Sequence, residues 1–100
     1  MDPRRDAIAG ALARLAPTIP PRDAASVADQ ALHSTGLCKA SAEAAAWLSM
    51  VAYARHNFTD YDDLLAEGYD VDSARFFSLE ALNEVLASWG VRRQVGSEDG

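Results

Sequence analysis

Two arginines occupy helical positions that otherwise carry apolar residues. On a helical wheel Arg55 lies beside Val51. Arg75 lies between Leu82 and Leu86 on the wheel of a later helix. A guanidinium group that is buried needs an anionic partner, because an unpaired charge in the interior is very costly. The two arginines therefore predict either a structural ion-pair network or a site that binds a carboxylate or a phosphate.

The segment between the two arginines supplies carboxylates from residue 57 to residue 72, with no basic side chain. Its acids are Asp60, Asp62, Asp63, Glu67, Asp70 and Asp72. We expect an aspartate of residues 60–72 to pair with Arg75, in a network that ties a short fourth helix to its neighbours. The alternative is a pocket in which the arginines bind an anionic ligand. Its candidate residues are Arg55, His56, Thr59, Tyr61, Asp62 and Arg75.

No motif in the chain specifies catalysis or a metal. His33 and His56 fit no metal-binding spacing. The acidic run lacks the alternating acids, the glycine and the closing glutamate of a calcium loop. We therefore expect no catalytic residue, no metal and no cofactor. An enzyme built around Arg55, His56, Tyr61 and Arg75 is kept as the alternative.

The charge of the chain restricts the partners that it can bind. The formal net charge is −6 and the isoelectric point is near 4.6. An acidic surface disfavours nucleic acid and anionic membranes, which are bound through lysine and arginine. The remaining nucleic-acid hypotheses are contacts through the N-terminal arginines and imitation of DNA. No apolar run is long enough to cross a bilayer, and the single cysteine, Cys38, is typical of a reducing compartment, so we expect a cytoplasmic protein.

Apolar spacing predicts an all-α fold, a compact bundle of about five short helices. Asp2 and Ser41 are expected N-caps of the first and third helices, and Thr59 with Asp62 has the form of a capping box for the fourth. The third helix, from about Ala42 to His56, is apolar nearly all round and is therefore expected at the centre. We expect one helical domain over residues 1–91. Residues 92–100 are expected to be a disordered tail, because Val95 alone is too little to anchor it.

Phe76 is predicted to mark a binding surface. On the wheel of the fifth helix it falls on the polar side, among Glu80, Asn83 and Ala87. Aromatic residues are favoured at the centres of protein interfaces. The alternative is that Tyr69 or the first helix covers Phe76.

The segment from Arg55 to Arg75 resembles the signature of an uncharacterised family, known as domain of unknown function 2293 and found mainly in bacterial proteins. The matching residues are Arg55, His56, Thr59, Tyr61, Asp62, Leu64, Leu65, Gly68, Ala74 and Arg75. At Val71 the chain departs from the pattern, since members of the family commonly have a further arginine there. The resemblance implies a small helical domain whose arginine, histidine, threonine and tyrosine residues act together, and it implies no reaction.

The sequence thus favours a non-catalytic module that interacts with a protein partner or with a second copy of itself. A binder of a small anionic ligand, or an enzyme, is the alternative from another class.

Overall fold

The computed structural model describes residues 2–96, which form five α-helices and no strand. The helices are α1 Pro3–Leu15, α2 Pro21–His33, α3 Ala42–Phe58, α4 Tyr61–Ala66 and α5 Val71–Ser88. A single 3-10 turn, Thr35–Leu37, lies between α2 and α3. The predicted all-α class and the five helices are confirmed. No helix within the described part of the chain has the length and apolar character that crossing a bilayer requires.

Side-chain caps define where three of the helices begin. The side chains of Asp2, Ser41 and Asp70 each accept hydrogen bonds from backbone N–H groups in the first turn of α1, α3 and α5. The nearest donors lie at 2.9, 3.1 and 2.7 Å, respectively. These bonds satisfy N–H groups that have no partner inside a helix. The caps predicted at Asp2 and Ser41 are confirmed.

The third helix is the centre of the bundle, as predicted. It packs against all four other helices. Small residues such as Ala46 and Ala54 are fully buried in α3, which lets neighbouring backbones approach closely. Met50 and Leu82 fill the space between α3 and α5 with larger side chains.

The loop after α1 holds the end of α5. The backbone N–H of Thr18 donates to the carbonyl of Trp89 at 3.0 Å, and the Thr18 hydroxyl donates to the carbonyl of Ser88 at 2.9 Å. Gly90 then turns the chain with a φ of 83°. A glycine is favoured here because a side chain in this region of backbone space is strained.

The chain beyond α5 does not become disordered at Arg92, so this part of the prediction was wrong for residues 92–96. Val95 is only 4% exposed. The guanidinium of Arg93 lies 4.2 Å from the centre of the Trp47 ring on α3. Val95 is the one apolar side chain of this segment, but polar contacts also help to hold the segment in place. The rest of the predicted tail, residues 97–100, lies outside the described residues.

Candidate functional site

The turn between α3 and α4 is held by the hydroxyl of Thr59. This hydroxyl donates to the carbonyl of Arg55 at 2.5 Å and accepts from the backbone N–H of Tyr61 at 3.2 Å. Asp60, which makes no side-chain cap, precedes α4 directly. The predicted capping box of Thr59 and Asp62 was therefore wrong. The Thr59 hydroxyl accepts from the N–H of Tyr61 and not from that of Asp62, and the Asp62 carboxylate bonds to His56.

Arg55 is a charged residue inside the protein. Its exposed fraction is 6%, although it lies on the last turns of α3. The guanidinium carbon stands 5.6 Å from the centre of the buried Tyr61 ring, which is cation–π distance. Burial lowers the pKa of Arg55 below the ordinary arginine value, and the positive charge of Arg75 lowers this pKa further.

Arg75 reaches the same region from the first turns of α5. Its neighbour Ala74 is fully buried, and Ser78, one turn later, is also buried. The Nε atom of Arg75 is buried and has no hydrogen-bond acceptor within residues 2–96. The positive charge of Arg75 contributes to the lowered pKa of Arg55.

The predicted pairing of Arg75 with an aspartate of residues 60–72 was wrong for the described part of the chain. Asp62 instead forms a hydrogen bond with His56, with 2.6 Å between Nδ1 and Oδ1. Asp70 is used as the N-cap of α5, and hydrogen bonds from Ser73 lower the pKa of its carboxyl. All six acids of this segment are solvent-exposed.

Contacts link five of the predicted site residues, which are Arg55, His56, Thr59, Tyr61 and Asp62. The ring of His56 meets that of Tyr61 edge-on, with 5.3 Å between centres and 78° between planes. Both His56 and Asp62 are about half-exposed, so their pair is accessible to water and contributes little to stability. Arg55 is therefore buried beside an aromatic ring and next to an exposed histidine, whereas Arg75 is partly exposed. No group of three histidine, cysteine or acidic residues that could hold a metal ion is found among the described residues.

The N-terminal arginines proposed for nucleic acid are engaged within the protein. A side-chain nitrogen of Arg4 donates to the carbonyl of Leu37 at 3.1 Å. Arg5 forms an ion pair with Asp29 of α2. These contacts tie α1 to α2 and to the 3-10 turn.

A second feature is a surface group that we call the aromatic cluster, formed by Tyr69, Phe76 and Phe77. The exposed fractions of Phe76 and Phe77 are 63% and 62%, and Tyr69 is also exposed. Phe77 meets Tyr69 and Phe76 edge-on, with 5.7 and 5.3 Å between ring centres. The predicted exposure of Phe76 is confirmed, and neither Tyr69 nor α1 covers it.

Phe77 belongs to this surface but was not singled out from the sequence. A usable signal was present, because Phe77 lies at helical spacing from Ser73, Glu80 and Glu84, which are polar.

Fold and site together define a small all-α domain that carries a buried arginine, Arg55, and an exposed aromatic cluster. The chain belongs to the family described as "Uncharacterized conserved protein (DUF2293)", whose model matches residues 11–90. The family that the sequence was expected to resemble is thereby confirmed. No curated protein and no solved structure matches the chain.

Proposed function

We propose that this domain is a non-catalytic interaction module that binds a protein segment through the aromatic cluster. The partner segment is amphipathic, with an apolar face flanked by lysine or arginine. The observation that carries the proposal is the exposure of Phe76 and Phe77, which contact each other on the surface instead of entering the core.

The cluster is suited to binding because it is already assembled. Val71, at the start of α5, is also exposed. Rings that already contact one another lose little conformational freedom when a partner covers them. Aromatic side chains also dominate the binding energy of many interfaces. An apolar helix face laid on such a surface is a common mode of peptide recognition.

The charges around the cluster favour a partner of positive charge. Asp70, Asp72 and Glu80 are exposed near the three rings along the chain. No basic residue lies between residues 57 and 74. Complementary charges therefore belong on the partner, where they would speed association and select the register.

The same charges argue against a second copy as the occupant. Two copies that met through this surface would bring the acids of one copy against those of the other, and each copy carries a formal charge of −6. Like charges placed across an interface are strongly unfavourable.

The free thiol of Cys38 is exposed, which accords with the cytoplasmic location that we propose for the module.

The proposal is tested with a labelled helical peptide of leucine and lysine that has one apolar face, by fluorescence anisotropy. We expect the wild type to bind it and the double variant Phe76→Ser, Phe77→Ser to bind at least ~10-fold more weakly. Leu48→Ser is the matched control, because Leu48 is also exposed, at 49%, but lies on α3. This control variant keeps the affinity of the wild type.

Two further peptides separate the proposal from general attraction between opposite charges. A lysine–serine peptide of equal charge lacks the apolar face and is expected not to bind. A leucine–glutamate peptide is expected not to bind because its charge is wrong. Equal binding of the lysine–serine peptide, or an unchanged affinity of the double variant, contradicts the proposal.

Sedimentation decides the remaining question of self-association. The wild type and Phe76→Glu, at the same concentration, are expected to give the same monomeric profile. A wild-type dimer that Phe76→Glu dissociates would make a second copy the occupant and would overturn the choice of a basic partner.

A further inference from the structure

We propose that a groove beside the C-terminal ends of α1 and α5 binds a small phosphate monoester whose organic part is apolar. We call this site the basic groove, and its volume is about 320 Å³. Its lining includes Arg14, Arg92 and Arg93, with Leu15, Pro17 and Val91 as apolar side chains. The site goes beyond the proposed interaction, because the aromatic cluster lies near the start of α5 and the groove lies at its other end.

Positive charge is concentrated at this groove in an otherwise acidic chain. Residues 7–22 and 85–97, which contain the whole lining, include no aspartate and no glutamate. The complete chain has 15 acids against 9 lysines and arginines. Charges further away than about 10 Å are largely screened at an ionic strength of about 0.1 M. The groove therefore presents a positive local field although the net charge of the chain is −6.

The three arginines of the groove are not neutralised by acids of residues 2–96. Arg14 and Arg92 are exposed, and the ion pairs of the described chain involve neither of them, nor Arg93. The guanidinium of Arg93 lies over the Trp47 ring at 4.2 Å, a contact that uses its charge and not its N–H donors. Arg5 differs from these three, because it is paired with an aspartate of α2.

The walls of the groove are held in place by the rest of the fold. The N–H of Val91 donates to a carbonyl of the last turn of α5 at 3.0 Å. Both backbone groups of Val95 bond to a side chain of α5, so Arg92 and Arg93 lie between two anchored positions. On the other wall, Thr18 donates twice to carbonyls at the end of α5. A site that is ordered before its ligand arrives loses less conformational freedom on binding.

The charge of the groove indicates a ligand with two negative charges. The C-terminal ends of α1 and α5 each carry a partial charge of about −0.5, which offsets about one of the three positive charges. A phosphate monoester carries about −1.5 to −2 at neutral pH and balances the remainder. A carboxylate carries only half of that charge.

The shape and chemistry of the lining select a small ligand. The guanidinium fork matches the oxygens of a phosphate, and three such groups surround one groove. Leu15, Pro17 and Val91 offer apolar surface to the organic part of the ester. A nucleic acid would extend beyond the groove, where the acids of a chain with a net charge of −6 would repel its phosphates.

The experiment titrates phenyl phosphate into the nitrogen-15-labelled wild-type chain at about pH 7.5, where the ester carries about two negative charges. Sodium chloride keeps the ionic strength constant. We expect the backbone amide signals of residues 90–94 to move to saturation. Inorganic phosphate lacks the apolar part and benzoate lacks the second charge, so each is expected to bind at least ~10-fold more weakly.

Variants separate the groove from general attraction between opposite charges. The double variant Arg14→Gln, Arg92→Gln is expected to bind phenyl phosphate at least ~10-fold more weakly than the wild type. Its fold should persist, because both side chains are exposed. The matched control is Arg22→Gln, Lys39→Gln, which removes two exposed positive charges outside the groove. This control is expected to keep the wild-type affinity within about two-fold.

Three results would overturn the inference. The first is the absence of a saturable response to phenyl phosphate at residues 90–94. The second is an equal loss of affinity in the two double variants, which is the pattern of general electrostatic attraction. The third is equal affinity for benzoate, which would remove the requirement for two charges. None of these depends on the aromatic cluster, so the inference and the proposed function can fail separately.

Discussion

The side-chain amide of Asn83 and the backbone of Val95 form a reciprocal pair of hydrogen bonds. The Nδ2 group of Asn83 donates to the Val95 carbonyl at 3.0 Å, and the Val95 N–H donates to Oδ1 of Asn83 at 2.8 Å. A side chain of α5 thus satisfies both backbone groups of an irregular segment. This relationship is what allows Val95 to be buried outside any helix.

The C-terminal segment is therefore expected to contribute to stability. Val95→Asp should lower the free energy of unfolding by roughly 1.5–3 kcal/mol, the value of burying one valine side chain. The control Gln94→Asp introduces the same charge at an exposed neighbour and should change the free energy of unfolding by less than about 0.5 kcal/mol. Urea denaturation of both variants makes the measurement. Equal midpoints would show that residues 92–96 do not dock in solution.

The glycines provide a graded test of the turns. Gly90→Ala combines a φ of 83° with a Cβ that would lie 3.0 Å from Cδ of Pro17. Gly68→Ala has a φ of 102° but no atom within 4 Å of the Cβ. We expect Gly68→Ala to cost about 1–2 kcal/mol from the backbone alone, and Gly90→Ala to cost more.

Gly36→Ala is the control for this series, since Gly36 has no positive φ and its Cβ would meet Ser34 only at 3.9 Å. It should be neutral or stabilising by about 0.4–1 kcal/mol, because alanine has less freedom in the unfolded chain. Thermal denaturation of the three variants gives the order. A Gly90→Ala variant as stable as Gly36→Ala would refute the turn geometry.

Tyr53 and Asp23 give a prediction for alkaline pH. The Tyr53 hydroxyl donates to Oδ1 of Asp23 at 2.6 Å, and this hydrogen bond raises the pKa of Tyr53, with burial adding to the effect. The bond stabilises the protonated phenol. Its contribution is therefore present below about pH 10, the usual tyrosine pKa, and is lost as the pH rises through the higher folded-state value.

Ultraviolet titration makes this prediction measurable. The difference between the curves of the wild type and Tyr53→Phe isolates Tyr53, and its midpoint should lie above 10.0. Asp23→Asn should move the midpoint downward. Tyr53→Phe should also lose about 0.5–1 kcal/mol of stability near neutral pH, since the bond is partly exposed. A midpoint unchanged by Asp23→Asn would remove the carboxylate as the cause.

Arg75→Met distinguishes the environment of Arg75 in the structure from the ion pair with an aspartate that the sequence predicted. Removing a buried arginine that is paired with an aspartate would lower the free energy of unfolding by about 3–5 kcal/mol. The structure instead shows a buried Nε without an acceptor in the described chain and a like charge nearby. We therefore expect Arg75→Met, in chloride buffer without phosphate, to raise the free energy of unfolding by about 1 kcal/mol. A loss of several kcal/mol in urea denaturation would restore the ion-pair interpretation.

Much of the architecture could be derived from the sequence. Caps at Asp2 and Ser41, glycine stops after α4 and α5, and apolar spacing are local signals that act over a few residues. The uniform apolar character of α3 placed it at the centre, because a helix without a polar face has to be surrounded. The same periodicity placed Arg55 and Arg75 on inward positions and Phe76 on an outward one.

The sequence by itself determined the set of helices, the central place of α3 and the unusual positions of Arg55, Arg75 and Phe76. The tertiary structure alone decided which groups meet. Asp62 bonds to His56, and the Nε of Arg75 has no acceptor within residues 2–96. The backbone of Val95 bonds to the side chain of Asn83. The physical reason is that helical periodicity reports only the direction in which a side chain points. An ion pair or a reciprocal hydrogen bond requires the distance between atoms of separate elements to be correct within a few tenths of an ångström.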